Sequence, residues 1–167
     1  MKQSKVMAAC GMMAAMSIVV MLLGAVLEIG MYAAPMFAGL CLLPIGYNYG
    51  RKYQVILWIA VSLLSLILVP NVEEDLMYLC VFGCYPILRP WLQRLPKGLR
   101  ILTKMLYFNL TVILLELLIL WVLVPEPMES GFVLVLLLLG NVTFWCYDLV
   151  LPRAEKKLGT HLNKILP

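Results

Sequence analysis

Charges are absent from this chain for stretches that match the thickness of a membrane. Lys5 and Glu28 are separated by 22 uncharged residues, and Glu28 and Arg51 by another 22. Twenty lie between Lys52 and Glu73, and eighteen between Glu129 and Asp148. An α-helix rises 1.5 Å per residue, so each gap is a helix able to cross about 30 Å of hydrocarbon. A transmembrane barrel would instead alternate apolar and polar residues with period two, and these runs do not alternate. Composition excludes the soluble alternative. The chain is 63% apolar and only 13% charged over 167 residues, and a soluble domain of that size keeps too much surface to hide such a fraction. A soluble enzyme, a disordered chain and a nucleic-acid-binding domain are thereby set aside.

Two further apolar runs carry polar interruptions. One, near residues 74–92, contains Pro86, Arg89 and Pro90; the other, near 101–124, contains Glu116. The expected architecture is therefore all-α, a single membrane domain over 1–167. Its six spans lie near 6–27, 32–50, 53–70, 74–92, 101–124 and 130–151. Lys2 and Lys5 ahead of an apolar run imitate a signal peptide, but the run is long enough to span and more spans follow, so an uncleaved first helix is expected.

Orientation follows from the 13 lysines and arginines. All of them flank the N-terminus, the link between spans two and three, the link between spans four and five, or the C-terminal tail. The opposite links hold Glu28, then Glu73, Glu74 and Asp75, then Glu126 and Glu129. The positive-inside rule places both termini in the cytoplasm of a multi-pass cell-membrane protein. The net charge of +4 then reflects orientation and contact with anionic lipid, not nucleic acid. The tail after Pro152 reads as a short amphipathic helix on the inner membrane surface.

Recognisable catalytic chemistry is missing. There is no phosphate-binding loop, dinucleotide fingerprint or zinc-protease motif, and no nucleophile elbow. Cys10, Cys41, Cys80, Cys84 and Cys146 all fall within spans, and the one histidine, His161, lies in the tail. The cysteines read as small apolar residues; no metal and no cofactor is expected, and the protein is read as a non-enzyme.

Polar residues in lipid need a reason. Asn109 and Glu116 lie seven apart in span five, hence on one face, and Asn141 and Asp148 repeat that spacing in span six. For antiparallel neighbours, Glu116 is expected near the level of Asn141, and Asn109 near Asp148. Asn109 and Asp148 read as helix–helix glue, with Asp148 also able to reach Arg153. Glu116 stays open between glue and ligand group. The expected ligand pocket lies between spans four, five and six, with Glu116 and Asn141 as its polar floor. Tyr78 and Tyr32 are expected near its mouth, and Tyr85 beside the mid-span break at Pro86. In span one, Cys10/Ala14 and Gly11/Ala15 are pairs of small residues four apart, which permit close approach of another helix.

With these residues in view, the chain resembles the substrate-capture (S) components of energy-coupling factor transporters. The stretch ACGMMAA (9–15) resembles the small-residue motif that those proteins present to their coupling subunit. SLLSLILVP (62–70), FGCYPIL (82–88), FNLTVILLELL (108–118) and YDLVLPR (147–153) further resemble a clostridial-type membrane family close to those S components. The resemblance implies a membrane-embedded subunit that binds a vitamin-like small molecule from outside. Its site would lie in the outer half, with loops 28–32 and 71–75 beside it. It also implies a transmembrane coupling subunit and two ATPase subunits as partners, the first docking on Cys10, Gly11, Ala14 and Ala15. The alternative is a non-transporting scaffold similar to the rod-shape-determining membrane subunit of cell-wall machinery, which recruits partners through helix faces and needs no ligand.

Overall fold

The computed structural model describes residues 2–27, 33–122 and 130–165. Among them the protein is all-helical. In order the elements are α1 (Lys2–Leu27), α2 (Ala33–Leu40), α3 (Leu43–Tyr49), α4 (Arg51–Leu68) and α5 (Val72–Met77). A π-helical turn (Tyr78–Phe82) follows, then α6 (Tyr85–Leu92), α7 (Lys97–Val122) and α8 (Ser130–Ile165). Among the described residues, three helices are long and apolar enough to cross a membrane: Gln3–Leu27, Arg51–Leu68 and Lys97–Ile119.

Two of the expected spans are broken helices. The second divides at Cys41 and Leu42, where Cys41 N–H donates to the Ala38 carbonyl at 3.1 Å and Leu42 N–H to that of Gly39 at 3.3 Å. These i→i−3 bonds tighten the chain just ahead of Pro44, which has no N–H to continue the α ladder. The fourth opens into the π turn, closed by Gly83 N–H to the Tyr78 carbonyl at 2.7 Å. The break thus starts several residues earlier than Pro86 alone would place it.

Irregular backbone in an apolar setting must be satisfied by other groups. Three side chains from three helices do this. Trp58 Nε1 of α4 donates to the Leu79 carbonyl at 3.2 Å. The Tyr107 hydroxyl of α7 donates to the Cys80 carbonyl at 2.5 Å. The Tyr147 hydroxyl of α8 donates to the Phe82 carbonyl at 2.9 Å, the carbonyl whose α partner would have been the missing N–H of Pro86. Gly39 of α2 lets this segment come close: a Cβ there would lie 2.6 Å from the Phe82 carbonyl oxygen.

The interior forms two apolar cores. One gathers Ala9, Met13, Met21, Ala38, Leu57, Val61 and Tyr78 from α1, α2, α4 and the π turn. The other gathers Phe82, Tyr85, Phe108, Val112, Phe144 and Tyr147, with the Phe108 and Phe144 rings stacked at 4.7 Å. The tail departs from expectation. α8 runs unbroken through Pro152 to Ile165 and packs on α3. Asn48 Nδ2 donates to the Gly159 carbonyl at 2.9 Å, and Leu162 is buried in the first core. These contacts hold the tail against protein, where the expectation had been a separate surface helix.

Candidate functional site

Buried polar groups gather at opposite ends of the protein. The acidic end is the start of α5. Val69 is extended, and Asn71 caps α5 by accepting from the N–H groups of Glu73 and Glu74 at 3.1 and 3.4 Å. An Asn cap with acidic residues in the first turn suits the orphan amides and the dipole of a helix start. The cap fixes Glu74 and Asp75 toward the interior, where each is only 2% exposed. Glu74 reaches between α1 and α2: a Cβ at Gly24 would lie 2.8 Å from its Oε1. Tyr78 follows Asp75 by three residues and is fully buried. Facing α5, α4 contributes Ser62 and Ser65. The Ser65 hydroxyl donates to the Ser62 carbonyl at 3.1 Å and lies against Asp75.

Among the described residues, four atoms here have no hydrogen-bond partner: Ser62 Oγ, Glu74 Oε1, Asp75 Oδ1 and the Tyr78 hydroxyl. An unsatisfied buried polar group costs about 1–3 kcal/mol, and more when charged. Such groups are rare enough that each needs an explanation. All four lie on one α4–α5–π-turn unit.

The basic end is different. Asp148 of α8 accepts from the Tyr85 hydroxyl at 2.5 Å, from Lys104 Nζ at 2.6 Å and from Arg89 Nε at 3.3 Å. Arg89 also faces Glu155 at 3.9 Å. Tyr85 is enclosed by aromatic rings, with Phe144 edge-on at 4.8 Å and Tyr107 stacked at 6.1 Å. Every charge in this group has a partner, so it reads as structural cement joining α6, α7 and α8.

The residues singled out in the sequence are distributed unevenly over these two ends. Tyr78 lies in the unpaired acidic-end group, and Tyr85 in the paired basic-end group. Tyr32 lies outside the described residues. Glu116 is half-buried on α7, with Glu73 of α5 as the neighbouring charge. It does not face Asn141. Asn109 and Asn141 pair reciprocally at 3.0 and 2.8 Å, and each also donates to the carbonyl one turn back on its own helix. The expected levels, Glu116 with Asn141 and Asn109 with Asp148, are therefore displaced by about one helical turn or more. The α7–α8 register that forms is the one in which each side-chain amide completes the other, and it sets Lys104 against Asp148. Asp148 binds Lys104 and Arg89, where Arg153 had been expected.

On α1, Cys10 and Ala14 pack against the first core, whereas Gly11 and Ala15 are exposed and a Cβ at Gly11 would meet nothing within 4 Å. Among the described residues, no group of three or more His, Cys, Asp or Glu is arranged to hold a metal. The sequence reading took Glu74 and Asp75 as topology markers at the start of span four, with loop 71–75 placed beside the site only by the resemblance, and it singled out none of Glu74, Asp75 and Ser62 as site residues. Two signals pointed to them. Asn71 precedes an acidic triplet as a helix cap does, and Ser62/Ser65 and Asp75/Tyr78 are each spaced to share a helix face. No known protein family, curated protein or solved structure matches this chain.

Proposed function

We propose that this chain is a six-span, multi-pass subunit of the cell membrane with both termini cytoplasmic. It captures a vitamin-like small molecule from outside for an energy-coupling factor type importer. The observation that carries this reading is the set of four atoms on Ser62, Glu74, Asp75 and Tyr78 that have no partner among the described residues. In the orientation drawn from the basic residues, that set lies at the outer end, and the paired Asp148 group at the inner end. Small-molecule sites are mostly apolar with a few converging polar groups, and the apolar wall here comes from the first core. Two carboxyl groups with two hydroxyls favour a ligand that offers hydrogen-bond donors. Energy for release and import comes from partners, since the chain has no phosphate-binding loop. The exposed Gly11/Ala15 side of α1 is the face offered to a coupling subunit.

Mass spectrometry of small molecules carried through gentle purification identifies the ligand, and titration calorimetry then measures it. Glu74→Gln and Asp75→Asn are each expected to weaken binding by about 1.5–3 kcal/mol, the range for a hydrogen bond to a charged group. Stable copurification with cell-wall enzymes, no retained small molecule and an unchanged protein in both variants would instead select the scaffold reading, for which the same α1 face is the recruiting surface.

A further inference from the structure

At the basic end, two clefts meet at the first turn of α4. The first is polar, about 280 Å³, and is lined by Gly46, Arg51, Gln54, Arg89, Gln93 and Glu155 among others. The second, about 290 Å³, is an open groove in which Arg51 and Lys52 stand above Val55, Ile87, Leu88 and Trp91. Arg51 borders both.

Four observations define what fits. Arg51 and Lys52 are exposed and make no ion pair among the described residues. Arg89, by contrast, is already held by Asp148. The first turn of α4 has no side-chain cap; Gly50 precedes it at φ 93°, a left-handed conformation that favours glycine. Gln54 is 5% exposed, lines the polar cleft, and its side-chain amide makes no hydrogen bond among the described residues. A Cβ at Gly46 would fall 2.5 Å from Gln54 Oε1, so glycine there leaves that amide its place.

We infer that this double cleft is a binding site for an anionic phospholipid with a hydroxylated headgroup, of the phosphatidylglycerol kind. The phosphate sits at the uncapped α4 start between Arg51 and Lys52, where helix amides and two cations favour an anion. The headgroup enters the polar cleft. There the Gln54 amide, donor and acceptor at once, matches a hydroxyl, and Glu155 disfavours a second negative charge. One acyl chain lies along Val55, Ile87 and Leu88, with the Trp91 indole, 64% exposed, at the level where tryptophans anchor in membrane interfaces. This inference does not depend on the capture reading, since a scaffold would carry the same site.

The test uses the full chain in neutral detergent. Native mass spectrometry compares phosphatidylglycerol with phosphatidylcholine of identical acyl chains. Unmodified protein is expected to retain the first at least tenfold better. R51Q/K52Q is expected to lose about tenfold of that retention, while K156Q/K157Q, which removes the same charge from the tail, keeps it. Glycerol phosphate is expected not to displace the lipid at equal concentration. Equal retention of the two lipids by unmodified protein overturns the inference, and this comparison decides even where a variant fails to fold. Equal loss in both double variants also overturns it, by showing a net-charge effect. Displacement by glycerol phosphate would assign the cleft to a free phosphate ester and reject the lipid.

Discussion

The acidic and basic ends hold polar groups of similar kind, yet the more deeply buried set, Glu74 and Asp75, is incomplete, and the part-buried set around Asp148 is complete. Asp148 receives three donors from three other residues. Glu74 and Asp75, one sequence position apart at the head of α5, each leave an oxygen unmatched among the described residues. Burial alone therefore does not mark a functional residue in this protein. What distinguishes the ends is whether the fold itself supplies the partners. A satisfied group stabilises and is silent toward ligands. An unsatisfied one lowers stability and is available.

The comparison predicts opposite signs for similar substitutions. The largest effect is expected at the basic end. Asp148→Ala leaves Lys104 and Arg89 as secluded cations without their common anion, and loss of one partner from such a group destabilises by about 3 kcal/mol. Thermal unfolding in detergent reads this directly. A midpoint unchanged from the parent would show that the group is not cement, and would erase the contrast.

At the acidic end, the double change Glu74→Gln and Asp75→Asn is expected to stabilise the ligand-free protein by about 1 kcal/mol, because it removes two incompletely matched acids from an apolar setting. The same scan measures it. A lowered midpoint would mean that the fold needs these carboxyl groups, and the two ends would then be alike.

The smallest effect sharpens the comparison from between the ends. Asn109→Ala leaves Asn141 without its reciprocal partner and is expected to destabilise by about 0.6 kcal/mol, the average for polar contacts between membrane helices. The double change Asn109→Leu and Asn141→Leu should fall below that loss. A double-mutant cycle with no coupling would show that the α7–α8 register is set by apolar packing alone.

These contrasts also explain how far the sequence could be read. The all-helical class was legible because charges such as Lys5, Glu28, Arg51 and Glu73 bound long apolar runs, and that information is local. The break near Pro86 was legible from the proline itself, whereas the second span read as one helix and its division ahead of Pro44 was not foreseen. The partners of Asn109 and Asp148 were not, since facing positions on two helices depend on their relative slide, which sequence spacing leaves free by a turn. Glu74 escaped notice because its seclusion comes from α1 and α2, distant in sequence, closing on it beside Gly24, while Asp75 lies against Ser65 of α4. The tail was misjudged likewise, its place against α3 being fixed by a contact across more than a hundred residues, Asn48 to Gly159.

The π turn has a further consequence when it is considered as angle. Tyr78 and Tyr85 are seven residues apart and would point the same way from a continuous α-helix. Yet Tyr78 belongs to the first core and Tyr85 to the second. Each residue of an α-helix subtends about 100°, so one extra residue in a turn rephases everything beyond it. The irregular segment 78–84 thus acts as a twist coupling in a single rod, letting one continuous stretch of chain show an aromatic face to one half of the molecule and then to the other.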